Sequence, residues 1–169
     1  MKYYFNFLFF LLLTTFCAIT SFATTLTDID NILVLKSERL MMLKSGDKII
    51  KKYKIALGGN PIGPKEREGD KKTPEGKYKI EYHNPHSSYH LSLKISYPTK
   101  EQTEKANANG YKAGNFIMIH GYPNNVINKL FDFIHNRTDW TDGCIAVTDE
   151  EIEEIYELVK DGTPIEIMP

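Results

Sequence analysis

Cys144 stands in the run Thr141-Asp142-Gly143-Cys144-Ile145-Ala146-Val147, and a His-Gly step, His120-Gly121, lies 24 residues upstream. A cysteine attacks as its thiolate, and a neighbouring imidazole can take the proton or stabilise the charge. Gly121 leaves the backbone free to approach the His120 ring and orient it through a carbonyl, the third-member role of a catalytic triad. Gly143 leaves room for a substrate carbonyl, and the N–H groups of Asp142, Gly143 and Cys144 can bind a developing oxyanion. Residue type alone keeps a second pair of readings open, an inert buried thiol and a hydrogen-bonded core histidine. The pair therefore points to a thiol acyltransferase or peptidase, and no further.

Other side chains compete for roles. His135 is a rival base, but its polar setting, Asn136-Arg137-Thr138, reads as an exposed loop. Arg137 suits bidentate pairing with a substrate carboxylate. Trp140 reads as a packing anchor. His83, His86 and His90 are close in sequence, yet no Cys/His/Asp set completes a zinc site, so no metal is expected. His90, with Tyr89 and Tyr97, is placed at the edge of the substrate cleft instead. Lys65, Arg67, Lys71 and Lys72 alternate with Glu66, Glu68 and Asp70, which reads as a solvated loop able at most to steer an anionic glycan.

The elements that must position these groups are mostly strands. Ile32–Leu35, Leu40–Leu43 and Ile49–Leu57 are short apolar or alternating runs separated by turn signals, and predict an antiparallel meander. Strand patterning returns at Tyr78–Tyr82 and Tyr89–Ile95, and Phe116–Ile119 is an apolar run that delivers His120 at its end. Residues 98–114 are polar and partly helix-forming, and 124–136 has room for a short helix. Thr148 and Glu151 form a capping box, and Ile152, Ile155, Tyr156 and Val159 recur at helical spacing behind it. Thr163–Ile167 reads as a last strand. The expected fold is mainly β with one or two helices.

Residues 1–23 read as a signal peptide: Lys2, an apolar run from Tyr3 to Ile19, and a small-x-small site at Ser21-Phe22-Ala23. That run is shorter than a membrane-spanning helix needs, so export with cleavage, and no stable membrane insertion afterwards, is the expectation. Cys17 would leave with the signal, so Cys144 would have no internal disulfide partner. Residues 24–169 would form one domain with a net charge of −2, since the removed piece carries a single charge, Lys2, and the whole chain has 21 basic and 22 acidic residues. A chain this close to neutral, without a basic stripe, argues against a nucleic-acid partner.

The motifs taken together resemble the catalytic domain of the L,D-transpeptidase family (YkuD-type). The resemblance rests on His120-Gly121, on Thr141-x-Gly143-Cys144 followed by an apolar residue, and on Gly162-Thr163-Pro164-Ile165 before the last strand. Upstream, Ala56-Leu57-Gly58, Gly69-Asp70-Lys71-Lys72-Thr73-Pro74-Glu75-Gly76 and Tyr78 resemble the family's Gly…Thr-Pro-x-Gly-x-Tyr segment. Asp139-Trp140-Thr141-Asp142-Gly143-Cys144-Ile145-Ala146-Val147-Thr148 resembles a branch of small Gram-negative members. Asp142 stands where many members have His or Lys, and Ala146 where many have Arg or Asn.

The resemblance implies a β-sandwich-like, β-rich domain without a cofactor, acting on peptidoglycan stem peptides in the periplasm. Cys144 would attack the bond between stem residue three, diaminopimelate in many walls, and D-alanine at position four. His120 would be the base, and Thr141, Asp142 and Gly143 would shape the oxyanion and substrate side. An amine would then accept the acyl group. Water in its place would make the protein a hydrolase that trims stems or releases a wall-attached lipoprotein. A non-catalytic wall-binding module is the reading from another class.

Overall fold

The computed structural model describes residues 28–169, so the expected signal and Cys17 lie outside the described residues. The meander forms as expected: β1 (Asn31–Leu35), β2 (Leu40–Ser45) and β3 (Lys48–Lys54) pair antiparallel. In β1 the side chains alternate, Ile32 and Val34 buried and their neighbours half-exposed, as a sheet with one face on the core requires. Gly46 makes the β2–β3 turn at φ 57°, a left-handed conformation that favours glycine.

The remaining elements are β4 (Gly76–Asn84), β5 (Ser92–Ile95), α1 (Lys100–Ala108), β6 (Met118–His120), α2 (Asn128–His135), β7 (Ile145–Ala146), α3 (Asp149–Leu158) and β8 (Pro164–Met168). The strand order is β3-β2-β1-β8-β4-β5-β6-β7. Two neighbouring pairs, β1–β8 and β6–β7, are parallel. β4 pairs with β8 through Gly76–Lys79 and with β5 through Ile80–Asn84, with a register shift between Ile80 and Tyr82. A shift of that kind bends a strand, and the sheet curls there.

The curl brings the two edges together. Just past β3, Ala56 and Ala146 of β7 exchange backbone hydrogen bonds of 3.0 and 2.9 Å. Gly58 then bridges to Thr141, with Gly59 N–H on the Thr141 carbonyl at 2.9 Å. The cysteine run is thus the seam on which the sheet nearly closes.

Inside lies one core of Ile32, Val34, Leu43, Ile80, Leu93, Ile95, Ile119, Ile145 and Ile165 with α3 packed on it. In α3, Thr148 Oγ1 accepts from Glu151 N–H and Glu151 Oε2 accepts from Thr148 N–H, the expected capping box. Ile152 and Ile155 are fully buried, each contributing roughly 1.5–3 kcal/mol of burial at most. The polar stretch 98–114 contains α1, capped by Thr99 with Gln102. Three helices therefore flank the sheet, α1 in the polar, partly helix-forming stretch 98–114 and α2 in the 124–136 stretch that has room for a short helix.

In the loop from Gly58 to Glu75 the side chains of Glu66, Arg67, Glu68 and Lys71 are exposed, as a solvated loop requires. Lys65 is the exception: it is buried and pairs at 2.7 Å with the half-buried Asp70. Asp70 also accepts from the N–H groups of Glu66, Arg67 and Lys72. Burial pulls the Asp70 carboxyl upward, but the Lys65 bond and these backbone donors outweigh it and hold the group below the usual carboxylate range. Lys36 is buried as well, and ties Gly63 O, Thr73 O and Glu75 together from β1. These bonds tie the loop to itself and to the residue that follows β1.

Candidate active site

Cys144 immediately precedes β7 and His120 ends β6, on adjacent parallel strands in the register Ile119–Ile145 and His120–Ala146. Ile119 and Ile145 point into the core, so the strand pleat sends Cys144 and His120 to the opposite face. The two side chains therefore share one face of neighbouring strands, Cys144 two residues before the partner of His120 in the register. The thiol is free. Its Sγ accepts from Met118 N–H at 3.4 Å and lies 3.6 Å from Phe116 O.

Burial pushes the Cys144 thiol up to about 11, and Asp142 adds to the rise, while Met118 N–H and Lys65 oppose it. His120 is 3% exposed. Burial brings it down to about 4, against the pull of its Gly121 hydrogen bond and with a further push from His135. At neutral pH the thiol and the imidazole are therefore both uncharged, and the hydrogen-bond partners of Sγ are Met118 N–H and Phe116 O. The His120 Nδ1 lies 2.7 Å from Gly121 O. A carbonyl can only accept, so the proton sits on Nδ1 and the lone pair is left on Nε2, the form a general base needs.

The Thr141–Cys144 turn is closed on itself: Thr141 Oγ1 donates to Cys144 O at 2.8 Å and accepts from Gly143 N–H at 3.1 Å. The Gly143 N–H is thereby occupied. The N–H groups of Asp142 and Cys144 have no acceptor among the described residues and stay available for an oxyanion. Gly143 has φ 127°, and a Cβ there would stand 2.6 Å from Lys72 O. Glycine is required because the turn lies directly on the 70–73 backbone.

A cleft of about 360 Å3 opens over the thiol, lined by Lys65, Glu68, Lys71, Phe116, Asp142 and Cys144 among others. Both charge signs face it. Of the residues singled out from sequence as site residues, Cys144 and Asp142 line this cleft. Thr141 and Gly143 belong to the turn that carries them, and His120, which ends the neighbouring strand, and Gly121 after it lie outside the lining. Arg137 and His90 are not brought there. The Arg137 guanidinium lies 3.8 Å over the Phe133 ring at the exposed end of α2. His90 pairs with Glu153 at 2.7 Å and borders a separate polar hollow with Asn124, Asn128 and Asp149.

His135 corrects the exposed-loop expectation. It is 4% exposed, its ring packed near Tyr122, and neither ring nitrogen has a partner among the described residues. Trp140 is the packing anchor expected, between Phe131, His120 and Tyr89. Tyr89 lies 4.5 Å from the His120 ring, and with Trp140 roofs it.

Asp139 was missed as a site-builder. It accepts from Leu57 N–H at 2.9 Å and from the Arg39 fork at 2.7–3.3 Å. It thereby clamps the start of the cysteine turn to the strand edge. Its partner Arg39 is 100 residues away, so no local pattern announces it.

The profile of one protein family, the L,D-transpeptidase catalytic domain (YkuD), matches residues 30–167. The chain belongs to that family. YafK of Escherichia coli K12, whose name assigns it to the L,D-transpeptidases, is 31% identical to this YkuD domain over 132 residues, 75% of this chain and 45% of YafK. The chain thus spans less than half the length of that relative. Among solved structures, the helical cell shape determining protein Pgp2 of Campylobacter jejuni superposes with TM-score 0.61 at 23% identity, over 82% of this chain and 47% of Pgp2. Bd1075 of Bdellovibrio bacteriovorus gives 0.54 at 26%, over 86% and 50%. An L,D-transpeptidase of Mycobacterium smegmatis gives 0.55 at 13%, over 82% and 58%. The mainly β, curled sheet is the fold these YkuD-type structures share.

Proposed function

We propose that this domain is a peptidoglycan-modifying cysteine acyltransferase, exported by its N-terminal signal and working in the periplasm. The observation that carries the reading is a free thiol in a charged cleft, on the strand edge next to the one that ends in His120, an imidazole whose Nδ1–H is fixed by Gly121 O. Nε2 of His120 takes the Cys144 proton as Sγ attacks the carbonyl carbon of stem residue three. The oxyanion is met by the free N–H groups of Cys144 and Asp142. On collapse the C–N bond breaks, the proton on His120 passes to the departing D-alanine amine, and a thioester remains. The incoming amine then gives a proton to His120 and attacks the thioester, and on collapse the C–S bond breaks while His120 returns the proton to the leaving Sγ. Lys71 and Asp142, of opposite charge across the cleft, suit a stem residue that carries both an ammonium and a carboxylate.

With water in place of the amine, the same thioester would be hydrolysed. The protein would then shorten stems or free a wall-attached lipoprotein.

Mass spectrometry of products from tetrapeptide muropeptides and lipoprotein-bearing sacculi, with Cys144→Ala alongside, separates the readings. Cross-linked or D-amino-acid-exchanged products absent from the variant support the transferase. Shortened stems or released lipoprotein support the hydrolase, and no Cys144-dependent product overturns both.

A further inference from the structure

The Gly121 carbonyl that fixes His120 belongs to the same peptide group as the Tyr122 N–H, and that N–H donates to Asp149 Oδ1 at 2.7 Å. One amide is thus held at both ends, by an imidazole N–H on its oxygen and by a carboxylate on its nitrogen. Hydrogen bonds in such a chain polarise one another. A negative charge at the N–H end makes the carbonyl a stronger acceptor, and steadies a positive charge forming on the ring beyond it.

The surroundings are built to keep Asp149 there. It is the first residue of α3, set by the Thr148 cap, where an acidic side chain is favoured by the helix dipole. Its second oxygen, Oδ2, accepts from Asn128 Nδ2 of α2 at 2.8 Å. A Cβ on residue 121 would lie 2.6 Å from Asp149 Oδ1. Gly121 is therefore glycine because the carboxylate occupies the space a side chain would take. Among the described residues the one side-chain hydrogen bond of His120 is to Gly121 O, and its ring packs on Tyr89 and Trp140.

We infer that Asp149 is a positioning residue for the acyl-transfer reaction, acting on His120 through the Gly121–Tyr122 peptide as the remote carboxylate of a relayed triad. It holds the Nδ1–H tautomer and supports the imidazolium that forms when Cys144 gives up its proton. The inference rests on His120 being the base for Cys144, but on no particular stem or acceptor.

The test uses the full chain with Asp149→Asn, Asp149→Ala and His120→Ala. Imidazole 15N spectra at pH 7.5 read the His120 tautomer, and mass spectrometry reads the rate of Cys144 alkylation by iodoacetamide. Asp149→Asn keeps an oxygen for Tyr122 N–H, so the tautomer stays and alkylation slows about tenfold, the loss expected for a charge removed one group away. Asp149→Ala releases the peptide, and an Nε2–H population appears with a slower rate still. A wild-type tautomer in Asp149→Ala, or a wild-type alkylation rate in Asp149→Asn, overturns the relay. Should the alanine variant fail to fold, the near-isosteric asparagine variant decides by its rate. His120→Ala separates the two claims: alkylation unchanged there overturns the dyad itself, and the tautomer of Asp149→Ala still decides the relay.

Discussion

Removing the carboxylate of Asp139 should loosen the cysteine turn by an amount that can be worked from its contacts. The side chain accepts the N–H of Leu57, a fully buried residue, at 2.9 Å. A hydrogen bond to an ionised acceptor contributes about 1.5–3 kcal/mol, and leaving its donor unpaired forfeits that. The Arg39 fork adds less, because the Arg39 and Asp139 side chains keep 34% and 15% of their exposure, which holds the pair to about 0.5–1 kcal/mol. Asp139→Ala should therefore cost about 3 kcal/mol. For a domain of this size that lowers Tm by roughly 10 °C. Asp139→Asn keeps an acceptor for Leu57 and should cost only about 1 kcal/mol. Urea unfolding followed by circular dichroism measures both. A loss below about 1 kcal/mol in the alanine variant, or equal losses in the two, would refute the clamp.

Three further outcomes follow from the same geometry. Cys144 at about 11 is protonated at neutral pH, so the resting enzyme should alkylate more slowly at pH 7 than a free cysteine of pKa about 8.5, and the rate should climb with pH. A rate equal to that of a cysteine peptide would contradict the buried-thiol description. Gly143→Ala places a Cβ 2.6 Å from Lys72 O at φ 127°, and should cost at least about 1–3 kcal/mol of backbone strain with loss of Cys144-dependent turnover, read by melting and product assay. Because the Asp70 carboxyl is held below its unfolded value, its contribution is present above the ordinary carboxylate pKa and is lost as pH falls through the depressed folded one. Asp70→Asn should remove that part of the acid destabilisation, and an unchanged acid limb in chemical denaturation would show that the Lys65 pair contributes nothing.

The β elements and the firm helix were legible because their signals are local. Alternation in β1, the Gly46 turn and the Thr148–Glu151 box are each decided within a few residues. His120 and Cys144 were legible as a pair through motif order, and the parallel register of β6 and β7 explains why a long connection must separate them. What escaped depends on distant partners. Lys65 and Asp70 look like any charged loop until Tyr97, Gly114 and the cysteine turn wall them in. α2 inverts the usual pattern, exposing Ile127, Leu130, Phe133 and Ile134 while burying His135, so residue type misleads there. Asp149 reads as an ordinary acidic first turn, and only the Tyr122 N–H reveals a second role.

The seam at Ala56 and Ala146 also sets a timetable. Residues 56–59 reach Thr141 and Ala146 across more than eighty intervening residues, and contacts of such separation are slow to form. Until they do, Cys144 is a plain exposed thiol with the ordinary reactivity of its type. Closure of the sheet is therefore the step that masks the thiol and lays its turn on the 70–73 backbone. Pulse alkylation during refolding should find Cys144 reactive early and protected last, after the β1–β3 meander has formed. The chain thus withdraws its one described thiol from stray electrophiles in the same motion that completes the sheet.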